Sequence, residues 1–197
     1  MITSKLFFAI KYLFNHGPID FIKKVYSEIR KIYSLDNNKD INIALYNVND
    51  YQLPLEFYQH VSPIVSIIIP VYNQWFVTLS CLISIYMNSG DLSYEIIIGD
   101  DNSTDETTRH SEYVCNIRLV RNTKEPGFIS NCNSAAKHAR GKYLVFLNND
   151  TNVQKGWLES LVALMEKDED CGLAGSKLIY PNGKLQEAGG IIWQNGR

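Results

Sequence analysis

Residues 143–151 read YLVFLNNDT, an apolar and aromatic run that stops abruptly in two amides and a carboxylate. The apolar part fits a buried β-strand, and open α/β sheets bind substrates and metal ions at the carboxyl ends of such strands. Asp150 offers the hard oxygen ligand that Mg²⁺ or Mn²⁺ prefers. Asn and Asp also begin ordinary turns after strands, so this stretch alone leaves a turn and a ligand site as alternatives.

A second predicted strand ends in a similar way upstream. Residues 94–106 read YEIIIGDDNSTDE, in which the three isoleucines are typical of a core strand. Ser103 followed by Glu106 fits a capping box, which predicts that a helix begins there. Helix initiation does not explain why Asp100 and Asp101 stand side by side before the cap, because like charges repel. Two strands that both end in acidic residues therefore indicate one shared site.

The surrounding pattern predicts a parallel sheet. Residues 64–73 form an apolar strand that should end near Pro70, since proline cannot donate to a sheet ladder. The predicted elements that follow are a helix at 75–87, the strand before Asp100, a strand at 117–121, a helix at 127–140, the strand ending at 148 and a helix at 156–167. This alternation predicts an α/β fold with a Rossmann-like, mostly parallel sheet flanked by helices. Right-handed crossovers would bring the carboxyl ends of the strands to one edge.

Four of these segments together resemble family 2 glycosyltransferases. They are SIIIPVYN at 66–73, DDNSTD at 100–105, the stretch 127–133 that begins Gly-Phe, and FLNNDT at 146–151 with Gly-Trp-Leu at 156–158. The resemblance covers about residues 63–197 and implies a GT-A fold and an inverting enzyme that uses a nucleotide-diphosphate sugar donor. The Asn-Asn-Asp-Thr sequence is most similar to the rhamnosyltransferase-like branch. That similarity implies a glycan or lipid-linked acceptor in polysaccharide and cell-envelope biosynthesis.

The resemblance also implies roles for individual residues. Tyr72 would contact the nucleotide base, Asp101 would accept a hydrogen bond from it, and Asp100 would support the loop. Asp150 would bind the divalent cation, Mg²⁺ or Mn²⁺, on the diphosphate. Asn148 stands where the family often has the first aspartate of its metal motif, so the cation would have fewer charged ligands here. The implied substrate-binding residues are Pro70, Val71, Tyr72, Asp100, Asp101, Asn148 and Asn149.

The family's general base, an aspartate well downstream of the metal motif, has no match in this sequence. The acids within residues 159–170 follow the pattern of the solvated face and end of a surface helix. Glu187 lies in a predicted hairpin at 183–190 and is a weak candidate for the base. The expectation is a chain truncated after its donor-binding half, 63–197, which binds donor but transfers sugar poorly or not at all.

The N-terminal residues differ from the rest in charge. Residues 1–33 carry six basic and two acidic residues, a net charge of +4 against −2 for the whole chain, so the remainder carries −6. Apolar residues at helical spacing predict a basic amphipathic helical segment over 1–34, which could contact an anionic membrane or pack on a neighbouring domain. Residues 35–62 are predicted to be a linker, with short strands at 41–45. No apolar run approaches the ~20 residues of a spanning helix, which favours a cytoplasmic protein that can lie at the inner face of the membrane.

Other classes of protein find less support. The acidic body argues against nucleic acid as a partner. The cysteines are widely spaced, and Cys81 and Cys132 in predicted helices indicate reduced core residues rather than a zinc site. A dinucleotide-binding protein would carry Gly-x-Gly-x-x-Gly after the first strand, where residues 70–74 read PVYNQ. Three readings stay open: a glycosyltransferase, a catalytically silent nucleotide-sugar-binding fragment, and a different nucleotide-binding α/β protein.

Overall fold

Four parallel strands form the central sheet. A computed structural model describes residues 43–188, and the strands within them are β1 (Leu55–Glu56), β2 (Val65–Val71), β3 (Tyr94–Asp100), β4 (Val114–Cys115), β5 (Arg118–Arg121), β6 (Tyr143–Phe146), β7 (Leu178–Ile179) and β8 (Leu185–Glu187). The sheet has the order β5-β3-β2-β6, and each of its three pairings is parallel. The predicted α/β fold with a mostly parallel sheet is confirmed.

Three helices flank these strands in the described part of the chain: α1 (Trp75–Asn88), α2 (Phe128–Ala136) and α3 (Trp157–Lys167). They match the helices predicted at 75–87, 127–140 and 156–167, except that α2 ends earlier. The N–H of Arg140 donates to Glu95 Oε1 at 2.7 Å instead of continuing the helical ladder. Helix α2 therefore stops where the chain turns toward β6.

Alternating side chains of β2 bury both faces of the sheet. Ile67 belongs to the main core cluster, which includes Trp75 of α1. Ile68 belongs to a smaller cluster with Ala135 of α2. Every residue of β2 is buried, as expected for a strand with a neighbour on each edge and a helix on each face. This rigid strand positions the loop that follows Val71.

The helix predicted to begin at Ser103 begins later, so that prediction is wrong. A 3₁₀-helix spans Glu106–Glu112, and its cap is Asp105, whose carboxylate accepts from the N–H of Thr107. The hydroxyl of Ser103 instead accepts from the N–H of Asn73 at 2.7 Å. A partner distant in sequence therefore takes the oxygen that the capping box requires.

Residues 43–62 pack against the sheet, which differs from the linker predicted for 35–62. Leu55 and Phe57 are 4% and 2% exposed and belong to the main core cluster. β1 pairs in parallel with β4, and residues 43–45 form no strand. Burial of these two side chains joins the segment to the domain, which as a compact unit begins at Ile43. The amphipathic segment predicted at 1–34 and the first part of the predicted linker lie outside the described residues.

The end of the described chain forms a hairpin, as the sequence predicts for residues around 183–190. β7 and β8 pair antiparallel, and Tyr180 exchanges backbone hydrogen bonds with Gly183 and Lys184 in the turn. None of the helices described within 43–188 is long and apolar enough to cross a membrane.

Candidate functional site

The carboxyl edge of the central sheet collects the acidic residues that the sequence predicts. β3 ends at Asp100 beside the end of β2, and Asp101 follows directly. β6 ends at Phe146 on the other side of β2, and residues 148–150 follow it. Because the strands are parallel, Asp101 and Asp150 lie at the same edge. Their strands are two strand spacings apart, roughly 10 Å.

Asp100 is fully buried and is paired with an arginine. Its carboxylate accepts from the N–H of Ser103 at 2.8 Å and from the guanidinium of Arg121 at 3.2 Å. Arg121 also donates to the side-chain oxygen of Asn102 at 3.1 Å. An unpaired buried carboxylate is strongly unfavourable, so the arginine explains how two adjacent aspartates are tolerated. Through these two contacts the carboxylate of Asp100 connects the end of β3 to Ser103 and to the end of β5.

Asp101 is half-buried and connects two loops through its carboxylate. Oδ1 accepts from the amide Nδ2 of Asn122 at 2.7 Å, and Oδ2 accepts from the N–H of Gly127 at 2.8 Å. Its own N–H donates to the carbonyl of Val71 at 2.8 Å. A carboxylate oxygen has two acceptor positions, so each oxygen can still accept from a ligand. Asp101 is oriented in advance for an N–H donor.

Side-chain hydrogen bonds also join the loop after β2 to the loop after β3. Asn73, in the left-handed region with φ 56°, donates its N–H to Ser103, and Asp105 accepts from the N–H of Trp75 at 2.9 Å. Burial raises the pKa of Asp105, but the hydrogen bonds from Thr107 and Trp75 outweigh burial and hold it below its ordinary value. These contacts begin α1 and fix the position of Tyr72.

The three residues predicted to line the base pocket differ in exposure. Pro70 and Val71 are buried in β2, whereas Tyr72 is 65% exposed just beyond it. Little of the Val71 side chain is therefore accessible to a ligand. Pro70 and Val71 form the buried end of the strand that carries Tyr72. Tyr72 and Asp101 directly follow the ends of the paired strands β2 and β3. An exposed aromatic ring at this position is suited to stacking on a base.

The polar residues that follow β6 have different surroundings. Asn149 donates from Nδ2 to the hydroxyl of Thr78 in α1 at 3.0 Å, which ties the segment to the helix. Asn148 and Asp150 are exposed. Asp150 lines an open cavity of about 500 Å³ together with residues of α1 and of the segment 45–48. The amide nitrogen of Asn149 therefore serves the fold, whereas the carboxylate of Asp150 is accessible to a ligand.

Asp150 suits a divalent cation as one member of a shared ligand set. Residues 43–188 contain no group of three or more His, Cys, Asp or Glu that could hold a metal ion. Mg²⁺ is usually bound by one or two carboxylates together with substrate phosphates and water. A single exposed carboxylate therefore fits a cation that arrives on a diphosphate. Asn148 can add only a neutral amide oxygen.

Cys81 lies under this segment but is not a nucleophile. Burial, and after it the charge of Asp150, raise the pKa of its thiol to about 12. Because the thiolate is the nucleophilic form of cysteine, this thiol is inert near neutral pH. Burial also raises the pKa of Cys132. Both cysteines are buried, which confirms the prediction that they are core residues.

The acids downstream of Asp150 provide no evident general base in the described residues. Glu166 accepts from Lys142 and from the hydroxyl of Tyr143, each at 2.7 Å. The hydrogen bond from Lys142, followed by that from Tyr143, holds the pKa of Glu166 below its ordinary value. Glu187 is exposed on β8. Its role as a base stays a prediction.

Two residues that the sequence motifs do not single out, Arg121 and Asn122, join the site and act there with Gly127, the first residue of one motif. Arg121 neutralises Asp100, while Asn122 and Gly127 hold the carboxylate of Asp101. One signal could have found the first two: the strand predicted at 117–121 also ends in polar residues. Because β5 lies next to β3, its carboxyl end meets the acidic loop.

The segments that form this edge belong to a known family. A sequence model described as Glycosyl transferase family 2 matches residues 66–192, which include the central sheet and each loop of its carboxyl edge. The chain belongs to glycosyl transferase family 2. This membership confirms the resemblance of the four motifs and rules against an unrelated nucleotide-binding α/β protein.

Curated relatives of this family 2 chain include glycosyltransferases from bacteria and yeast. O-antigen biosynthesis protein RfbC of Myxococcus xanthus is 34% identical over 139 residues, 68% of this chain and 11% of RfbC. The dolichyl-phosphate beta-glucosyltransferase of Saccharomyces cerevisiae is 27% identical over 82% of this chain and 49% of its own length. The Escherichia coli UDP-Glc:alpha-D-GlcNAc-diphosphoundecaprenol beta-1,3-glucosyltransferase WfgD is 30% identical over 62% of this chain and 49% of WfgD. The chain thus spans half or less of the length of these relatives.

Solved structures also align with this family 2 chain. Mannosyltransferase PcManGT from Pyrobaculum calidifontis, in complex with GDP-Man and Mn²⁺, aligns with a TM-score of 0.48 at 22% identity, over 74% of this chain and 40% of that one. S. aureus TarS aligns with a TM-score of 0.44 at 23% identity, over 52% of this chain and 32% of that one.

Proposed function

We propose that residues 63–197 are the donor-binding half of an inverting glycosyltransferase that takes its sugar from a nucleotide-diphosphate sugar. The observation that carries the proposal is the pair of accessible carboxylates at one sheet edge. Asp101 is held by two hydrogen-bond donors, and Asp150 faces an open cavity. Membership of the family supports the same activity.

The base of the donor would lie against the loops after β2 and β3. Asp101 would accept from an N–H of the base with its free acceptor positions, and the exposed ring of Tyr72 would stack on the base or contact its edge. The hydrogen bonds from the N–H of Asn73 to Ser103 and from the N–H of Thr104 to Asn73 join these loops before the ligand binds. Such preorganisation lowers the entropic cost of binding.

The diphosphate would lie toward Asp150 with a Mg²⁺ or Mn²⁺ ion. A bound cation stabilises the negative charge that develops on a departing nucleoside diphosphate. Asp150 would supply the charged protein ligand, and Asn148 could contact the ion or a ribose hydroxyl through its amide. Asn149 would act indirectly, because its amide nitrogen is bonded to Thr78.

The acceptor is proposed to be a glycan or a lipid-linked sugar in cell-envelope polysaccharide biosynthesis. Among the relatives, RfbC is named for O-antigen biosynthesis, and the name of WfgD includes a diphosphoundecaprenol-linked sugar. The rhamnosyltransferase-like motif supports the same class of product. An inverting reaction requires a base that removes the proton of the acceptor hydroxyl, and Glu187 is the first residue of this chain to test in that role.

Calorimetric titration of the full chain with UDP, GDP and dTDP tests the proposal. At least one should bind in the presence of Mn²⁺, and NAD should not. Asp150→Ala should weaken binding only when Mn²⁺ is present, whereas Asp101→Ala should weaken it with or without the ion. Asp91→Ala is the matched control, since Asp91 is exposed ahead of β3, at the opposite edge of the sheet. Wild-type protein that binds none of the three nucleotides, or losses for Asp101→Ala and Asp150→Ala that respond identically to Mn²⁺, would contradict the assigned roles.

A further inference from the structure

Asn122 is a buried amide at the carboxyl edge of the sheet, on the side formed by β3 and β5. It is 1% exposed and directly follows β5. Its Nδ2 donates to Asp101 Oδ1 at 2.7 Å and to the carbonyl of Glu125 at 3.3 Å, and its Oδ1 accepts from the N–H of Lys124 at 3.1 Å. Its side chain thus joins the acidic loop after β3 to the loop that leads into α2.

The backbone of Asn122 is held as firmly as its side chain. Its N–H donates to the carbonyl of Asp100 at 2.7 Å, and its carbonyl accepts from Nδ2 of Asn102 at 3.2 Å. These backbone contacts fix the position from which Nδ2 of Asn122 donates to Asp101 Oδ1. The N–H of Gly127 donates to the other oxygen of Asp101, Oδ2. Two donors from one loop orient both oxygens of a single carboxylate.

We infer that Asn122 is a positioning residue for recognition of the nucleotide base, acting through Asp101. A carboxylate attached to a loop can rotate, and rotation would misdirect the acceptor positions that a base N–H must meet. The amide of Asn122 holds the carboxylate of Asp101 by donating a hydrogen bond to it. Because the amide is neutral, it adds no second negative charge beside Asp101. The inference rests on the proposed donor site, because it concerns how that site recognises the base rather than the diphosphate.

The inference separates base recognition from binding of the phosphates. Asn122 belongs to the β3 and β5 side of the edge, whereas Asp150 follows β6 on the other side of β2. Loss of Asn122 should therefore weaken ligands that carry a base and spare ligands that carry only the diphosphate. A residue that merely stabilises the fold would weaken both classes together.

The test compares two variants at position 122 with a matched control. Asn122→Asp keeps the shape but places a second carboxylate 2.7 Å from Asp101, and Asn122→Ala removes the donor. Asn88→Asp is the control, because Nδ2 of Asn88, like that of Asn122, donates to more than one acceptor but lies at the end of α1, remote from the acidic loop. The ligands are the nucleoside diphosphate that binds wild type most tightly and inorganic pyrophosphate, each titrated with Mn²⁺. Circular dichroism checks that each variant is folded.

Loss of a hydrogen bond to a charged group should weaken nucleotide binding about tenfold in Asn122→Ala. Asn122→Asp should show the larger loss, while its affinity for pyrophosphate changes less than twofold. Nucleotide affinity that is unchanged in Asn122→Asp, equal losses for nucleotide and pyrophosphate, or an equal loss in Asn88→Asp would overturn the inference. Wild type that binds no nucleotide would overturn the proposed function and this inference together. Normal wild-type binding with unaffected Asn122 variants would overturn the inference alone.

Discussion

Replacing Arg121 by methionine should destabilise the chain through Asp100, a residue more than twenty positions away in sequence. The guanidinium of Arg121 lies 3.2 Å from a carboxylate whose side chain is 0% exposed. Methionine keeps much of the apolar stem but removes the charge. The variant therefore leaves a buried carboxylate whose charged partner is gone, while it still accepts from the N–H of Ser103.

The expected loss can be bounded from this geometry. Breaking a fully buried ion pair costs about 3–5 kcal/mol. Here the arginine side chain is 49% exposed, so solvent screens the pair and the remaining Ser103 contact reduces the loss further. We expect a decrease of about 2 kcal/mol in the free energy of unfolding. In a chain of this size that corresponds to a fall in Tm of roughly 4–8 °C.

Urea denaturation of the full chain at neutral pH measures this difference. Arg118→Met is the matched control, because Arg118 lies on the same strand and, among residues 43–188, its guanidinium donates to the carbonyl of His138 and to no carboxylate. Asp100→Asn combined with Arg121→Met should recover part of the stability, since the amide removes the unpaired charge. Equal stability of Arg121→Met and Arg118→Met, or a double variant no more stable than Arg121→Met, would refute the reasoning.

Two further predictions concern the amino edge of the sheet. Gly141→Ala should lower stability by about 1–3 kcal/mol, because an added Cβ would lie 2.5 Å from the backbone nitrogen of Ser66, whereas Gly175→Ala, with no neighbouring atom within 4 Å, should change it little in the same denaturation assay. Glu95→Gln should lower stability relative to wild type mainly above pH 4.5, the ordinary pKa of a glutamate. Burial raises the pKa of Glu95, but the hydrogen bonds from Ser66 and Arg140 outweigh burial and hold the folded pKa below its ordinary value. The stability that the ionised Glu95 contributes is present above that value and is lost as the pH falls through the lower folded pKa. A difference between wild type and Glu95→Gln that stays constant from pH 7 to pH 3 would contradict this assignment, and Glu169→Gln, at an exposed position, is the control.

The sequence was sufficient for the elements whose burial follows from local composition. The isoleucines of residues 67–69 and 96–98 became adjacent buried strands in register, with Ile67 opposite Ile96. Apolar runs of this kind can be buried only in a sheet covered on both faces. The parallel order then followed from the helices between the strands. Residues 43–62 were harder to predict, because their apolar residues show no helical or strand periodicity. Leu55 and Phe57 are buried because they pack into the main core cluster, which forms only in the folded protein.

The acidic motif shows why the roles of its members could not be separated by sequence alone. Asp100 is paired with Arg121, Ser103 is bonded to Asn73, and Asp105 caps two helical segments. Apart from Thr107, which Asp105 caps locally, these partners lie on other segments of the chain, so local rules such as the capping box assign the wrong atom.

Asp101 differs from its neighbours because both of its donors come from the loop that follows β5. The order β5-β3-β2-β6 places that loop beside it, and a sequence reveals strand order only indirectly. The buried members of the motif thus make a rigid frame for one partly exposed carboxylate. Changes to the frame should reduce stability and binding together, whereas changes to Asp101 should reduce binding more than stability.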